Sequence, residues 1–169
     1  MAVDFRKPAC VSSTNVRKFG LCDNQPPLPK SQAYIDERNG AKWIAVVDNE
    51  PHFNVTFTAI DNCIDGMIRA DRTPDKRCDG MMSFDQTVIF VELKEIDMDG
   101  NSWIKKADSQ LRTTIKYFED ETIADSFRIK KAYIANSERP KFRVSQTERM
   151  ERFEDETGYI LRIENRIIL

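Results

Sequence analysis

The run Cys78-Asp79-Gly80-Met81-Met82-Ser83-Phe84-Asp85-Gln86-Thr87-Val88-Ile89-Phe90-Val91-Glu92-Leu93-Lys94 holds three charged groups, Asp79, Glu92 and Lys94, inside or at the ends of apolar stretches. From Val88 to Lys94 the β-branched and aromatic residues read as a strand. Its period of two puts Val88, Phe90, Glu92 and Lys94 on one face and Ile89, Val91 and Leu93 on the other. A reversal at Asp85-Gln86 with an even loop pairs Gly80 with Val91, so Asp79 falls opposite Glu92. Side chains so opposed have Cβ atoms about 4.5–5.5 Å apart, and like charges there repel unless something compensates them. A divalent cation is the natural compensation, and hard oxygen ligands suit Mg²⁺ or Mn²⁺ held by one or two carboxylates plus phosphate and water. Lys94 adds a positive charge beside that position, able to orient or deprotonate a water or to stabilise a developing phosphate charge. The plainer reading makes Glu92 and Lys94 an exposed pair on an edge strand, where such charges block aggregation.

Asp79 followed by Glu92-Leu93-Lys94 resembles the PD-(D/E)XK nuclease superfamily, whose core carries an Asp on one strand and Glu-x-Lys on the next. In many members a following helix brings a Gln toward the site, and Gln110 in Ala107-Asp108-Ser109-Gln110-Leu111-Arg112-Thr113-Thr114-Ile115 takes that place. The likeness covers about residues 53–134. It departs at Cys78, where the family often has Pro. The resemblance implies a restriction-endonuclease-like α/β fold, a three-layer core with a mixed central β-sheet flanked by helices. It also implies a metal-dependent nuclease hydrolysing a nucleic-acid phosphodiester, with DNA the favoured polymer. Asp79, Glu92 and the backbone carbonyl of Leu93 would hold Mg²⁺ (or Mn²⁺), Lys94 would position the attacking water, and Gln110 would support Lys94 or the phosphate. The superfamily sometimes adds a carboxylate from an earlier segment, for which Glu50, Asp61 and Asp65 stand available; Asp61 is preferred because it ends an apolar strand. The alternative is a nuclease-fold protein without catalysis, serving as a binding or interaction module.

The rest of the chain bounds these readings. Its 169 residues and 40% hydrophobic content suit one domain with one core. The net charge of −2 argues against coating nucleic acid through bulk positive potential. Three local basic clusters soften this: Arg69, Arg72, Lys76 and Arg77; Lys105 and Lys106; and Arg128, Lys130 and Lys131. Together they would form a phosphate rim if they converged in space. The opening residues lack an apolar leader and no run approaches a membrane span, so a cytoplasmic protein without a membrane partner is expected. Cys10, Cys22, Cys63 and Cys78 lack zinc spacing and read as reduced thiols. The single histidine, His52, sits in a turn without a nucleophile motif. The glycines do not form a phosphate loop, and the calcium-loop-like start at Glu95 would place Lys106 where a bidentate Glu is needed.

Along the chain, residues 1–32 read as an irregular arm, a route to a homodimer, followed by a short helix at 31–38. Strands are expected at 42–47 and 53–60, with another short one at 66–70. Residues 103–118 carry the best helical stripe, in Ile104, Ala107, Leu111, Ile115 and Phe118, with Gln110 at its border; a Gln there is as often plain structure. Residues 129–136 read as a strand parallel to the Glu92 strand after a helical crossover. In the C-terminal part, 145–169, Ser145-Gln146-Thr147-Glu148 is a capping box for a helix ending at Gly158, before a last strand.

Overall fold

The computed structural model describes residues 2–96, 100–138 and 145–169. At its centre lies a hairpin of β6 (Gly80–Phe84) and β7 (Thr87–Lys94), with Gly80 opposite Val91 and Phe84 opposite Thr87. Asp85, at φ 51°, takes the left-handed conformation in the two-residue turn, one that Asp tolerates. Strand β5 (Val55–Ala59) pairs antiparallel with β6, and β1 (Val11–Thr14) pairs antiparallel with β5. Helix α1 (Ser102–Glu119) then carries the chain back to β8 (Ile129–Asn136), which lies parallel to β7 along its whole length. After α2 (Thr147–Thr157), β9 (Ile160–Arg162) adds parallel to β8 and completes a six-stranded mixed sheet.

The alternation along β7 divides the molecule as its period demands. Val88 and Phe90 join Ile104, Ala107, Leu111, Ile115 and Phe118 of α1, with Phe153 of α2, in one core. Asp108 of α1 pairs with Arg112 and with Arg149 of α2, tying the two helices together on that face. Ile89, Val91 and Leu93 enter a second core on the opposite face of the sheet.

That second core is covered by a second sheet, of β2 (Lys18–Cys22), β3 (Tyr34–Asp36), β4 (Ala45–Asp48) and β10 (Arg166–Ile168), in the order β10-β4-β2-β3. Phe19, Leu21, Val47 and Ile167 supply its inner face. The layers are therefore helices, mixed sheet, mixed sheet, and the expected flanking of the central sheet by helices holds on one face only. The α/β class and the mixed central sheet stand as expected.

Residues 1–32 are not an irregular arm, because they supply β1 and β2. The signal was hidden by Gly20, whose missing side chain makes room for the Trp43 indole; a Cβ there would lie 1.9 Å from Trp43 Cγ. Residues 34–36 form a strand rather than a helix, since β3 pairs with the edge of β2. Residues 66–70 form no strand beyond one bridge between Ile68 and Pro74. The capping box at α2 is not made. Ser145 Oγ accepts from Thr147 N at 3.2 Å while Glu148 pairs with Arg152. Gly158 ends α2 with φ 76°, as expected. The single last strand is instead two, β9 and β10, in different sheets. The four cysteines are not all reduced, because Cys10 is disulfide-bonded to Cys63 while Cys22 and Cys78 are free and buried. Their distant sequence positions concealed a proximity that only folding creates. No helix among the described residues is long and apolar enough to cross a membrane.

Candidate functional site

Asp79 stands one residue before β6, and the hairpin register carries it opposite Glu92. Its backbone carbonyl accepts from Ile60 N at 2.9 Å, and its Oδ2 accepts from Leu93 N at 2.6 Å. The carboxylate is thus anchored to the neighbouring strand. Gly80 beside it is required by close approach, since a Cβ would lie 2.5 Å from Phe57 Cζ and 2.9 Å from the Thr58 carbonyl oxygen. Glu92 and Lys94 follow at alternate positions of β7, on the face covered by α1. All three are buried, with exposures of 7% for Asp79, 1% for Glu92 and 9% for Lys94.

Lys94 Nζ lies 2.6 Å from Glu92 Oε1 and donates to Gln110 Oε1 at 3.2 Å. Gln110 Nε2 in turn donates to the Arg77 carbonyl at 3.1 Å, which sets the amide orientation. The helix is held against this segment by Thr114, whose Oγ1 accepts from Cys78 N at 2.8 Å. Asp79, Glu92, Lys94 and Gln110 therefore form one cluster. The other oxygen of the Glu92 carboxylate, Oε2, is buried without a hydrogen-bond partner.

Burial dominates the electrostatics. It pushes Asp79 well above the ordinary carboxylate range, helped by the neighbouring Glu92 charge and opposed by the Leu93 N–H. It pushes Glu92 up to about 7 against the pull of Lys94. These groups open onto a cavity of about 290 Å³ whose far wall is the segment from Asp23 to Ser31. Asp23 is also raised, to about 6, by burial and by Asp61.

Of the three earlier acids, Asp61 alone lines this cavity, 3.6 Å from Arg77. Glu50 pairs with Arg17 and Asp65 with Lys7, outside the cavity lining. Asp23 escaped the sequence reading, although it ends the apolar run Phe19-Gly20-Leu21-Cys22 as Asp61 ends another. The basic clusters do not assemble into one rim. Lys106 lines the cavity and Lys76 reaches Ser109 on α1, whereas Arg69 pairs with Asp75 and Lys130 with Glu119.

The side-chain oxygens that a small divalent cation would use here are those of Asp79 and Glu92, both at the cavity. The cavity brings Asp23, Asp61, Asp79 and Glu92 together with Lys30, Lys94 and Lys106, so a phosphate there would meet both signs of charge. Glu92 Oε2 is a buried acceptor still in need of a partner. Among the described residues no group of three or more His, Cys, Asp and Glu side chains is gathered to hold a metal ion. Two carboxylates and a main-chain oxygen would leave the remaining positions to water and phosphate, the arrangement Mg²⁺ commonly takes. Compared with known proteins, the chain matches no family model, no curated protein and no solved structure.

Proposed function

We propose that this protein is a metal-dependent nuclease of the PD-(D/E)XK type, hydrolysing a nucleic-acid phosphodiester, with DNA the favoured polymer. The observation that carries the reading is Glu92. It is a carboxylate almost wholly buried, with one oxygen unpartnered, opposite the second buried carboxylate of Asp79 and beside the Lys94 and Gln110 pair. Burying two like charges side by side costs stability, and such a cost fits a site that handles charge.

In this reading Asp79, Glu92 and the Leu93 carbonyl hold Mg²⁺ or Mn²⁺, which when bound supplies charge to the phosphate and acidifies water. Lys94 engages Glu92 and Gln110, and an ammonium has three donors, so one remains for the attacking water or a phosphate oxygen. Gln110, held by the Arg77 carbonyl, keeps the Lys94 head in place.

The test is a cleavage assay on linear, circular, single-stranded and branched DNA and on RNA, with Mg²⁺ or Mn²⁺, comparing wild type with Lys94→Ala. Cleavage lost in the variant, with Mn²⁺ binding retained, supports the mechanism; undiminished cleavage by Lys94→Ala refutes it. The second reading is a non-catalytic binding module on the same scaffold. It is favoured by the 2.6 Å contact of Lys94 with Glu92, which neutralises one carboxylate without any ion. Absence of both cleavage and Mn²⁺ binding would select it.

A further inference from the structure

A scissile phosphodiester has to reach Asp79 and Glu92, whose exposures are 7% and 1%. The way in is the cavity of about 290 Å³ between α1, which presents Lys106 and Gln110, and the chain from Asp23 to Ser31. A second cavity of about 370 Å³ lies along the same chain segment, lined also by Cys22, Tyr34, Ala41, Lys42 and Glu95. The two cavities share Asp23, Asn24, Gln25, Pro26 and Leu28, so they adjoin along that segment. Leu28 is 60% exposed and Tyr34 37% exposed, which leaves an apolar edge and an aromatic ring open to a ligand beside this segment. Lys30, Lys42 and Lys106 form no ion pair with the described residues.

A duplex is stiff over about 150 base pairs and presents its phosphates on a convex surface. Such a surface meets the rim of a cavity rather than its floor. A single strand bends at every sugar–phosphate link and offers unstacked bases to aromatic rings and basic side chains to its backbone. On the nucleic-acid reading above, we infer that the two adjoining cavities form one track for single-stranded nucleic acid, its phosphate at Glu92 and a neighbouring base against Tyr34. Lys30 and Lys106 then follow the backbone at the first cavity and Lys42 at the second. Tyr34 acts as a specificity-determining group and takes no part in the reacting centre.

The experiment measures binding by fluorescence anisotropy in Mg²⁺, using labelled single-stranded DNA, single-stranded RNA and a duplex of the same sequence. A Lys94→Ala background keeps the strands intact. Single strands are expected to bind more tightly than duplex, and DNA against RNA resolves which polymer is preferred. Adding Tyr34→Ala is expected to weaken single-strand binding roughly tenfold or more, with Tyr34→Phe restoring it. For Tyr34→Ala an unchanged far-UV circular dichroism spectrum is expected, which separates lost stacking from misfolding. Duplex bound as well as single strand, or single-strand binding indifferent to Tyr34→Ala, overturns the track while leaving the nuclease reading intact. Binding of no polymer at all overturns both.

Discussion

Glu92→Gln should make the metal-free protein more stable at neutral pH and above, although it removes a charge that contacts Lys94. Glu92 has an unfolded value of 4.5 and a folded value of about 7, raised chiefly by burial. Between these values the native state holds a proton that the unfolded state has released. Stability therefore falls as pH rises through this window, and the whole penalty is present above about pH 7. The gap corresponds to about 3 kcal/mol. The Glu92 charge also raises Asp79, so removing it acts in the same sense. At about 2–4 °C per kcal/mol for a chain of this size, Glu92→Gln should raise Tm by about 6–12 °C at about pH 8. The advantage should shrink as pH falls through this window and vanish by about pH 4, where the carboxyl is protonated in both the folded and the unfolded state. Thermal melts followed by circular dichroism, in buffer with a chelator, measure both points. Excess Mn²⁺ should then narrow the gap at high pH by stabilising the wild type alone. A variant no more stable than wild type at high pH, or an advantage constant across pH, would refute the argument that a buried carboxylate is held here at a cost.

Three further outcomes test the frame around the site. The disulfide joins residues separated by 53 positions, and replacing Cys10 and Cys63 together by Ser should cost about 2–4 kcal/mol in urea unfolding. Thiol titration of the unreduced, denatured wild type should find Cys22 and Cys78 alone reactive; four reactive thiols would contradict the bond. Gly80→Ala should destabilise by about 1–3 kcal/mol, because its Cβ would meet the Phe57 ring and the Thr58 carbonyl oxygen; an unchanged melt would show that β5 and β6 pack less closely. Phe118→Ala removes a fully buried ring that touches Phe5, Phe90 and Phe127 and should cost about 3–5 kcal/mol. Its loss should lower Tm without altering metal binding.

Local pattern was enough for the centre of the molecule. The period-two run from Val88 to Lys94 and the turn at Asp85-Gln86 fixed a register that brings Asp79 opposite Glu92, because pleat geometry and a two-residue loop permit little else. The apolar stripe of α1 likewise determined which helix face meets β7, and therefore that Gln110 stands within reach of Lys94. The N-terminal strands were illegible because β2 is short and interrupted by Gly20, whose neighbour Trp43 comes from a distant turn. Cys10 and Cys63 meet because β1 pairs with β5, which ends just before Cys63. Asp23 joins the site because the chain after β2 folds across the end of β7, a long-range event with no local signature. Periodicity thus specified how neighbours along the chain orient their side chains. Only tertiary packing decided which remote loop covers the carboxylates, since that depends on which exposed apolar sheet face finds a second sheet to bury it.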